Sequence, residues 1–315
     1  MKKSIISLFL VCLSLFLSQN IALAAAPNPA GLTVSPAIEQ INLNKGQTST
    51  SFNNQLVNNT KSSLIVYVST TDFTALNQNG GVLFYNNAQA SSSLHGLAKS
   101  IKPTATKLVL PAGASQTVPI NIPNTAKLAP GGHYGAVIYR ATPSGSASKG
   151  NRVSTVQEVS SLVFLTTYNS GTQSVRLDPV PWGSYILKLP TTLNLVFTNN
   201  GNTQTAARGV VTITDSSSHE VARGIVNVGS GLVLPGTSRL YTINLRSEKA
   251  VLYPGIYKLH ISYSADGAST TSTYTKKFLI INEQIAITAI ILGLALIIVL
   301  VRWIGPKVVY RLRQP

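Results

Sequence analysis

The chain has 315 residues and a formal net charge of +16, but only 11% of its residues are charged. Its abundance of Thr, Ser, Asn and Val, together with 23 glycines and 16 prolines, is typical of β-strands joined by turns and argues against a mainly helical protein. The basic residues are scattered singly, so they indicate either loose association with a polyanion or simply good solubility, and they argue against a defined nucleic-acid site.

Residues 1–25 are predicted to form a signal peptide with a positive start, an apolar stretch and a small-residue cleavage site. We expect cleavage after Ala24 or Ala25, with an uncleaved anchor as the alternative. The only cysteine, Cys12, lies in this segment. The mature chain therefore has none, which is typical of an exported bacterial protein whose cores are stabilised without disulfides. The three features of the signal peptide are Lys2-Lys3, residues 5–17 and Ala22-Leu23-Ala24.

The central part of the chain consists of short alternating apolar runs separated by turns, such as residues 64–68 and the Asn79-Gly80 turn. Such runs recur roughly every 8–15 residues, a spacing that favours a β-sandwich over alternating strands and helices. We therefore predict an all-β fold with two tandem immunoglobulin-like β-sandwiches. Domain 1 is expected at residues 26–169 and domain 2 at residues 170–283.

An internal repeat supports two domains. The segment Leu-Val-Leu-Pro-Ala-Gly-Ala-Ser at 108–115 matches Leu-Val-Leu-Pro-Gly-Thr-Ser at 232–238 with one residue deleted, which pairs Leu110 with Leu234. Further along, residues 129–134 match residues 253–257, which pairs Tyr134 with Tyr257. A repeat at a spacing of more than 100 residues indicates a duplicated domain and not a solenoid.

A Pro-Gly turn comes shortly before a tyrosine in both repeats, where a strand is expected to begin. This is the pattern of the tyrosine corner, in which the ring covers the end of the core and the hydroxyl bonds to the backbone. We therefore predict structural roles for these residues, with ligand binding by the tyrosines as the alternative. The predicted structural residues are Tyr134, Tyr257, Pro130, Gly131, Pro254 and Gly255.

The sequence shows no pattern of a catalytic, metal or cofactor site. The four histidines are isolated, and both the phosphate-binding loop and the Gly-x-Ser-x-Gly motif are missing. The nine acidic residues are spread too thinly to indicate a catalytic carboxylate pair. Residues 146–149 match Ser-x-x-Lys, but they lie in a Ser- and Gly-rich stretch, 141–152, that is predicted to be a long hairpin loop. We expect no enzyme activity, no cofactor, no metal and no small-molecule substrate, and ligand-binding residues stay unassigned.

Residues 284–304 are predicted to be a transmembrane helix. Residues 285–301 carry no charge, and about 20 helical residues span the roughly 30 Å of a hydrocarbon core. Basic residues accumulate on the cytoplasmic side of such helices. We therefore expect residues 305–315 to form a basic cytoplasmic tail, with the two sandwiches outside the cell. The charges that flank the apolar run are Glu283 before it and Arg302, Lys307, Arg311 and Arg313 after it.

Four short motifs mark strand starts or the turns before them: Val34-Ser35-Pro36, Val57-Asn58-Asn59-Thr60, residues 76–82 with their Asn-Gly turn, and residues 250–258 with Pro254-Gly255-Ile256-Tyr257. With the overall layout, they make the chain resemble the WxL-interacting protein family of Gram-positive bacteria. Members of that family have a signal peptide, two sandwiches, a membrane helix and a basic tail. The resemblance implies that domain 1 binds peptidoglycan and domain 2 a host or partner surface, without assigning individual binding residues.

These features predict a non-enzymatic cell-surface binding or scaffolding protein, anchored by a single pass in the cell membrane. Its expected partner is a cell-wall polymer or a surface protein, and not nucleic acid. A purely structural stalk or assembly subunit is the alternative, followed by a surface enzyme whose residues meet only in three dimensions. A basic or aromatic-lined groove would favour binding, an acid pair in a deep cleft would favour an enzyme, and a featureless surface would favour a stalk.

Overall fold

A computed structural model describes residues 31–85, 94–123, 125–144, 156–168, 171–247, 253–281 and 283–311, with the backbone alone at 283 and 303–311. The predicted signal peptide, the Ser-x-x-Lys segment and residues 312–315 lie outside these ranges. The described part is mostly β-strand with one C-terminal α-helix, which confirms the all-β class. The strands fall into two groups, here called the first half (residues 32–166) and the second half (residues 175–280).

The described residues of the first half form ten strands. Alternation of apolar and polar residues creates them, as in the eighth strand, where Val118, Ile120 and Ile122 are at most 1% exposed. The intervening residues Pro119 and Asn121 are exposed. The strands are β1 (Leu32–Ser35), β2 (Ile38–Asn42), β3 (Ser49–Asn58), β4 (Leu64–Ala75), β5 (Val82–Phe84), β6 (Lys102–Pro103), β7 (Lys107–Leu110), β8 (Ser115–Pro123), β9 (Gly132–Pro143) and β10 (Gln157–Thr166).

Two sheets of the first half enclose one apolar core. The smaller sheet has the order β1-β3-β8-β6, and the larger has the order β2-β10-β9-β4-β5, with β7 also paired to β4. The buried side chains between them include Leu56, Leu110, Ile120, Tyr139 and Leu165. The predicted long hairpin loop, residues 141–152, lies between the antiparallel strands β9 and β10, but residues 141–143 belong to β9, and residues 145–152 lie outside the described part of the chain.

The second half repeats this plan. Its smaller sheet has three strands, its larger sheet has six, and a second apolar core that includes Phe197, Ile213 and Leu259 lies between them. The strands are β11 (Val175–Leu177), β12 (Tyr185–Ile186), β13 (Thr192–Asn199), β14 (Ala207–Thr214), β15 (Glu220–Val226), β16 (Ser238–Asn244), β17 (Arg246–Ser247), β18 (Gly255–Ala265) and β19 (Ser272–Ile280). The sheet orders are β11-β13-β16 and β12-β19-β18-β14-β15-β17.

In both halves the chain passes from the smaller sheet to the larger sheet between its first and second strands. The first strand of each half, β1 or β11, pairs antiparallel in the smaller sheet. The next strand, β2 or β12, lies in the larger sheet and pairs parallel with the last strand of that half. This shared path, including its two parallel pairs, is what two copies of one strand plan produce.

The structural correspondence between the halves differs by one position from the predicted repeat alignment. The buried amide Nδ2 of Asn58 donates to the carbonyl oxygen of Leu110 at 3.0 Å, and the equivalent amide of Asn199 donates to that of Val233 at 2.8 Å. Leu110 therefore corresponds to Val233 and not to Leu234. Leu234 occupies the position of Pro111, which is exposed in the first half.

The turn glycines explain this shift. Gly113 and Gly236 have nearly equal φ values of 69° and 68°, a left-handed conformation that glycine adopts without steric cost. The amide of Gly113 donates to the carbonyl of Asn58, and the amide of Gly236 donates to that of Asn199, both at 3.0 Å. Because these glycines occupy equivalent positions in the turn, residues 108–115 and the second-half segment align without a gap. The sequence alignment instead requires a one-residue deletion in the turn.

One helix, α1 (Glu283–Arg311), ends the described chain. Its stretch from Gln284 to Arg302 is long and apolar enough to cross a membrane, and none of it is buried against the rest of the protein. The helix continues past residue 304, so the predicted tail is helical as far as Arg311.

Candidate binding cleft

The larger sheet of the first half is apolar on both faces. Along β9, Val137 and Tyr139 point into the core of the first half, whereas Tyr134, Ala136 and Ile138 point to the outer face. A strand that is buried on both faces reads as a continuous apolar run, and residues 134–139 are such a run apart from Gly135. The outer face is therefore built to be covered.

The second half covers part of this outer face. Leu234 is 8% exposed and packs with Phe73, Tyr134 and Phe164 in a third apolar cluster, with Leu232 beside it. The rings of Phe73 and Phe164 meet edge to face with centroids 5.3 Å apart. Burial of these side chains joins the two halves through the outer sheet face.

Hydrogen bonds fix the same junction. The Gly132 amide donates to the carbonyl of Asn202 at 2.9 Å, and the Tyr134 hydroxyl donates to Oε1 of Gln204 at 3.1 Å. On the other side of the junction, the Leu240 amide donates to the carbonyl of Gln78 at 2.8 Å. Contacts at both margins hold the second half against the outer face in one orientation.

A cleft of about 320 Å³ lies between these margins. Its floor is the outer sheet face, and its walls are the segment from Gly229 to Leu234 and the turn around Gly80. Ile38 lines the cleft and is 52% exposed, so the cleft reaches the surface at the edge strand β2. The apolar lining residues are Ile38, Phe73, Ala75, Val82, Leu162, Phe164, Leu232, Val233 and Leu234.

Arg239 supplies the charge in the cleft. Its Nη1 donates to the carbonyl of Leu232 at 2.8 Å, and its guanidinium lies 5.9 Å from the ring centroid of Tyr241. The guanidinium lies directly against Gly80, where an added Cβ would come within 2.3 Å of Nη2. Among the described residues, no carboxylate oxygen lies within salt-bridge distance of Arg239, and none of the residues that line the cleft is acidic.

The predicted tyrosine corner has the expected geometry at Tyr257. Its ring is 6% exposed, and its hydroxyl donates to the carbonyl of Tyr253 at 2.8 Å. The ring stacks on that of Phe278 at a centroid distance of 6.1 Å. Between these tyrosines, Pro254 lies at a bend and Gly255 is the first residue of β18.

Tyr134 does not occupy a corner, which corrects the predicted pairing with Tyr257. His133 takes that position: its Nε2 lies 2.8 Å from the carbonyl oxygen of Ala129, four residues earlier, as in the Tyr257–Tyr253 pair. Because neighbouring residues of a strand face opposite sides, Tyr134 then points to the junction. Pro130 precedes the corner, and Gly131 has φ 122° and lies too close to the carbonyl of Asn202 for any side chain.

Burial keeps three tyrosine hydroxyls protonated. Desolvation raises the pKa of Tyr139 and of Tyr241 to about 12, and it raises the pKa of Tyr134 further still. These hydroxyls act as neutral hydrogen-bonding groups: Tyr139 accepts from Asn54 at 2.8 Å, and Tyr241 donates to the carbonyl of Gly231 at 2.8 Å.

The described residues contain no group of three or more His, Cys, Asp or Glu side chains that could hold a metal ion. The cleft residues themselves were not recognisable from the sequence as a site. The signals available were the apolar run at 134–139, the Asn79-Gly80 turn and the repeated Leu-Val-Leu segment, but nothing in the sequence shows that they meet.

Comparisons with known proteins assign no family. No protein-family model and no curated protein matches the chain. Similar solved structures include the class 5 fimbriae chaperone CfaA (13% identity, 79% of this chain and 99% of that one, TM-score 0.41). Others are the YadV chaperone (12%, 78% and 99%, TM-score 0.38) and a complex of the Salmonella enterica SafA pilin with the SafB chaperone (11%, 80% and 99%, TM-score 0.41). At these values the similarity assigns no function.

Proposed function

We propose that the chain is a non-enzymatic, membrane-tethered surface protein that binds a partner protein through the cleft. The observation that carries this proposal is a surface-open apolar cleft that contains an arginine without a carboxylate partner among the described residues. Apolar pockets with a few placed polar groups are the usual form of binding sites. A cleft without acidic lining residues does not favour hydrolysis by a carboxylate pair.

The proposal includes the architecture that the sequence predicts. Each half is proposed to be one immunoglobulin-like domain, and α1 is proposed to cross the cell membrane with its C-terminal end in the cytoplasm. The shared strand plan of the two halves and the length and apolarity of α1 support these statements. Membership of the WxL-interacting family, with peptidoglycan binding by the first half, stays a hypothesis.

The lining of the cleft favours a protein partner over a wall polymer. Ile38, which is 52% exposed, and the half-buried Val82 and Leu162 offer apolar surface that a partner's aliphatic or aromatic side chain would cover. Arg239 would pair with an acidic or carbonyl group next to that side chain. A polyanionic polymer would instead be attracted by scattered exposed charge, which is screened over about 8 Å at physiological ionic strength.

The test blocks the cleft without changing the opposite face of the same strand. Val82 lines the cleft, whereas its neighbour Leu83 does not and is 44% exposed. We expect Val82→Trp to weaken binding of the full-length protein to a purified surface-protein fraction severalfold, and Leu83→Trp to leave it unchanged. Arg239→Gln should also weaken binding, whereas Arg223→Gln, at an exposed position of β15, should not.

Binding is measured in nanodiscs at low and high salt, against the surface-protein fraction and against purified wall polymer. Salt-resistant binding to the protein fraction that Val82→Trp weakens supports the proposal. Equal binding by the two tryptophan variants would contradict it. Salt-sensitive binding to wall polymer alone would identify the polymer as the partner, and retention on neither material would favour a stalk.

A further inference from the structure

The second half has an exposed apolar row at the end from which α1 starts. Ile256 pairs with Leu279 across β18 and β19, and Leu279 pairs in turn with Tyr185 of β12. Paired residues point to the same face of a sheet, and here that face is the outer one. Ile256 is 60% exposed, Leu279 39% and Tyr185 65%. Three adjacent strands thus present one continuous apolar row to the surroundings.

Two further exposed apolar side chains lie at the same end. Tyr253 is 79% exposed in the turn before β18, and Leu187 is 49% exposed directly after β12. Singly exposed apolar residues are common, but a grouped set with two tyrosines at one end of a domain marks an interaction surface. Tyrosine has an apolar ring and a polar hydroxyl, so it is enriched at boundaries between an apolar and an aqueous environment, such as the surface of a bilayer.

A pair of lysines forms the next row of the same face. Lys258 and Lys277 are partners in the register and both are exposed. Each lies two residues from the apolar row in the direction away from α1, a distance of about 7 Å along a strand. The apolar side chains lie nearest the helix, and the lysines lie one row farther from it. This order matches that of acyl chains and lipid phosphates at a bilayer interface.

The chain connection brings this end close to α1. Only residues 281 and 282 separate the last residue of β19, Ile280, from the first residue of the helix, Glu283. Three residues span at most about 10 Å even when fully extended. The row that contains Leu279 must therefore lie near the point where the helix begins.

We propose that this end of the second half rests on the bilayer, with the apolar row (Tyr185, Ile256 and Leu279) in the interfacial layer and Lys258 and Lys277 facing anionic lipid phosphates. This inference rests on the proposed membrane crossing of α1. It gives the second half a defined orientation: β18 leads from the bilayer at Gly255 to the junction at Ala265, a rise of roughly 35 Å over its 11 residues. The cleft is thereby held away from the lipid surface.

The acidic side chains Asp215 and Glu220 at this end of the sheet have local partners, and Oε2 of Glu220 lies 3.8 Å from Nη1 of Arg223. Asp215 lies in the turn that joins β14 to β15, at the same end of the sheet. Its Oδ1 accepts from the amides of Ser217 and His219 at 2.9 Å, and its Oδ2 lies 3.5 Å from Nδ1 of His219. These local contacts compensate the carboxylate, whereas the described structure shows no salt-bridge partner for either lysine of the second row.

The experiment places a spin label on the apolar row of the full-length protein in nanodiscs. Cys12, the only cysteine, is replaced by serine, and labels are attached to Ile256→Cys or to the control Ile225→Cys. Ile225 is 59% exposed on β15 of the same sheet. Its partner on β14, Val210, pairs with Ser262 of β18, which lies six residues beyond Ile256 in the direction away from α1. A third label at Leu292→Cys reports whether α1 is in the bilayer.

Immersion is read from the accessibility of each label to oxygen relative to a water-soluble nickel chelate. We expect this ratio to rise severalfold at position 256 compared with 225 in discs that contain anionic lipid. The double variant Lys258→Glu and Lys277→Glu should lower the ratio at position 256.

The outcomes separate the two proposals. An immersed label at 292 with an aqueous label at 256 would overturn the bilayer contact while leaving the membrane helix in place. An aqueous label at 292 would overturn the membrane crossing itself, and with it this inference. Equal ratios at 256 for the parent and the double lysine variant would overturn the role of the lysines.

Discussion

Removal of the Tyr257 side chain tests how the second half closes the end of its core. The ring is 6% exposed and stacks on Phe278, and the hydroxyl donates to the carbonyl of Tyr253. Tyr257→Ala removes the buried ring and its hydrogen bond, so we expect the free energy of unfolding to fall by about 2–4 kcal/mol. Tyr257→Phe keeps the ring and should cost only about 1 kcal/mol.

The chain offers a fluorescent reporter next to this position. Trp182 meets Phe278 edge to face, with ring centroids 5.2 Å apart. In a Trp303→Phe background, Trp182 is the only tryptophan, so its emission reports unfolding of the second half. The measurement is urea denaturation of the full-length protein in detergent, with the midpoint and slope compared between variants.

Tyr253→Ala is the matched control. The side chain of Tyr253 is 79% exposed, and only its backbone carbonyl takes part in the corner. We expect a change within about 0.5 kcal/mol, as for other surface substitutions. An alanine variant at 257 as stable as the parent, or a phenylalanine variant as unstable as the alanine one, would show that the ring and hydroxyl do not act as described.

Three further predictions follow from the same structure. Asn199→Ala should lower the free energy of unfolding by about 2 kcal/mol in the same assay, because its buried amide donates to the carbonyls of Thr203 and Val233; a neutral result would contradict that role. Gly113→Ala and Gly236→Ala should each cost about 1 kcal/mol, because both glycines have positive φ in open space, and unequal losses would argue against their equivalence. Burial raises the pKa of Tyr139 to about 12 from its usual value near 10, so the folded state favours the neutral phenol. The contribution of Tyr139 to stability should therefore be fully present below pH 10 and be lost as the pH rises towards 12, so stability should fall less steeply over that range in Tyr139→Phe, as measured by urea denaturation.

The local pattern of the sequence was sufficient for the elements. Short apolar runs such as residues 64–68 predict strands, and in β4 their side chains alternate between a buried and a more exposed face. The Asn79-Gly80 turn and the apolar run from 285 to 301 were likewise readable, because turns and membrane-length helices depend on a few adjacent residues. The signal peptide and the domain boundaries stay predictions.

The correspondence between the halves needed the structure. Alignment of the two repeats by sequence pairs Tyr134 with Tyr257 and Leu110 with Leu234. The hydrogen bonds instead show that His133 is equivalent to Tyr257 and that Leu110 is equivalent to Val233. The error is a single residue, but a shift of one residue in a strand moves every side chain to the opposite face. Tyr134 accordingly belongs to the junction and not to the corner.

The sequence by itself determined the strands, the turns and the apolar C-terminal helix, because these depend on neighbouring residues. Only the tertiary structure decided that Phe73, Phe164, Leu234 and Arg239 share one cleft. These residues come from both halves, and they meet because the outer face of one sheet is covered by a turn more than 60 residues away in the chain. That contact depends on long-range packing, for which no local sequence pattern exists.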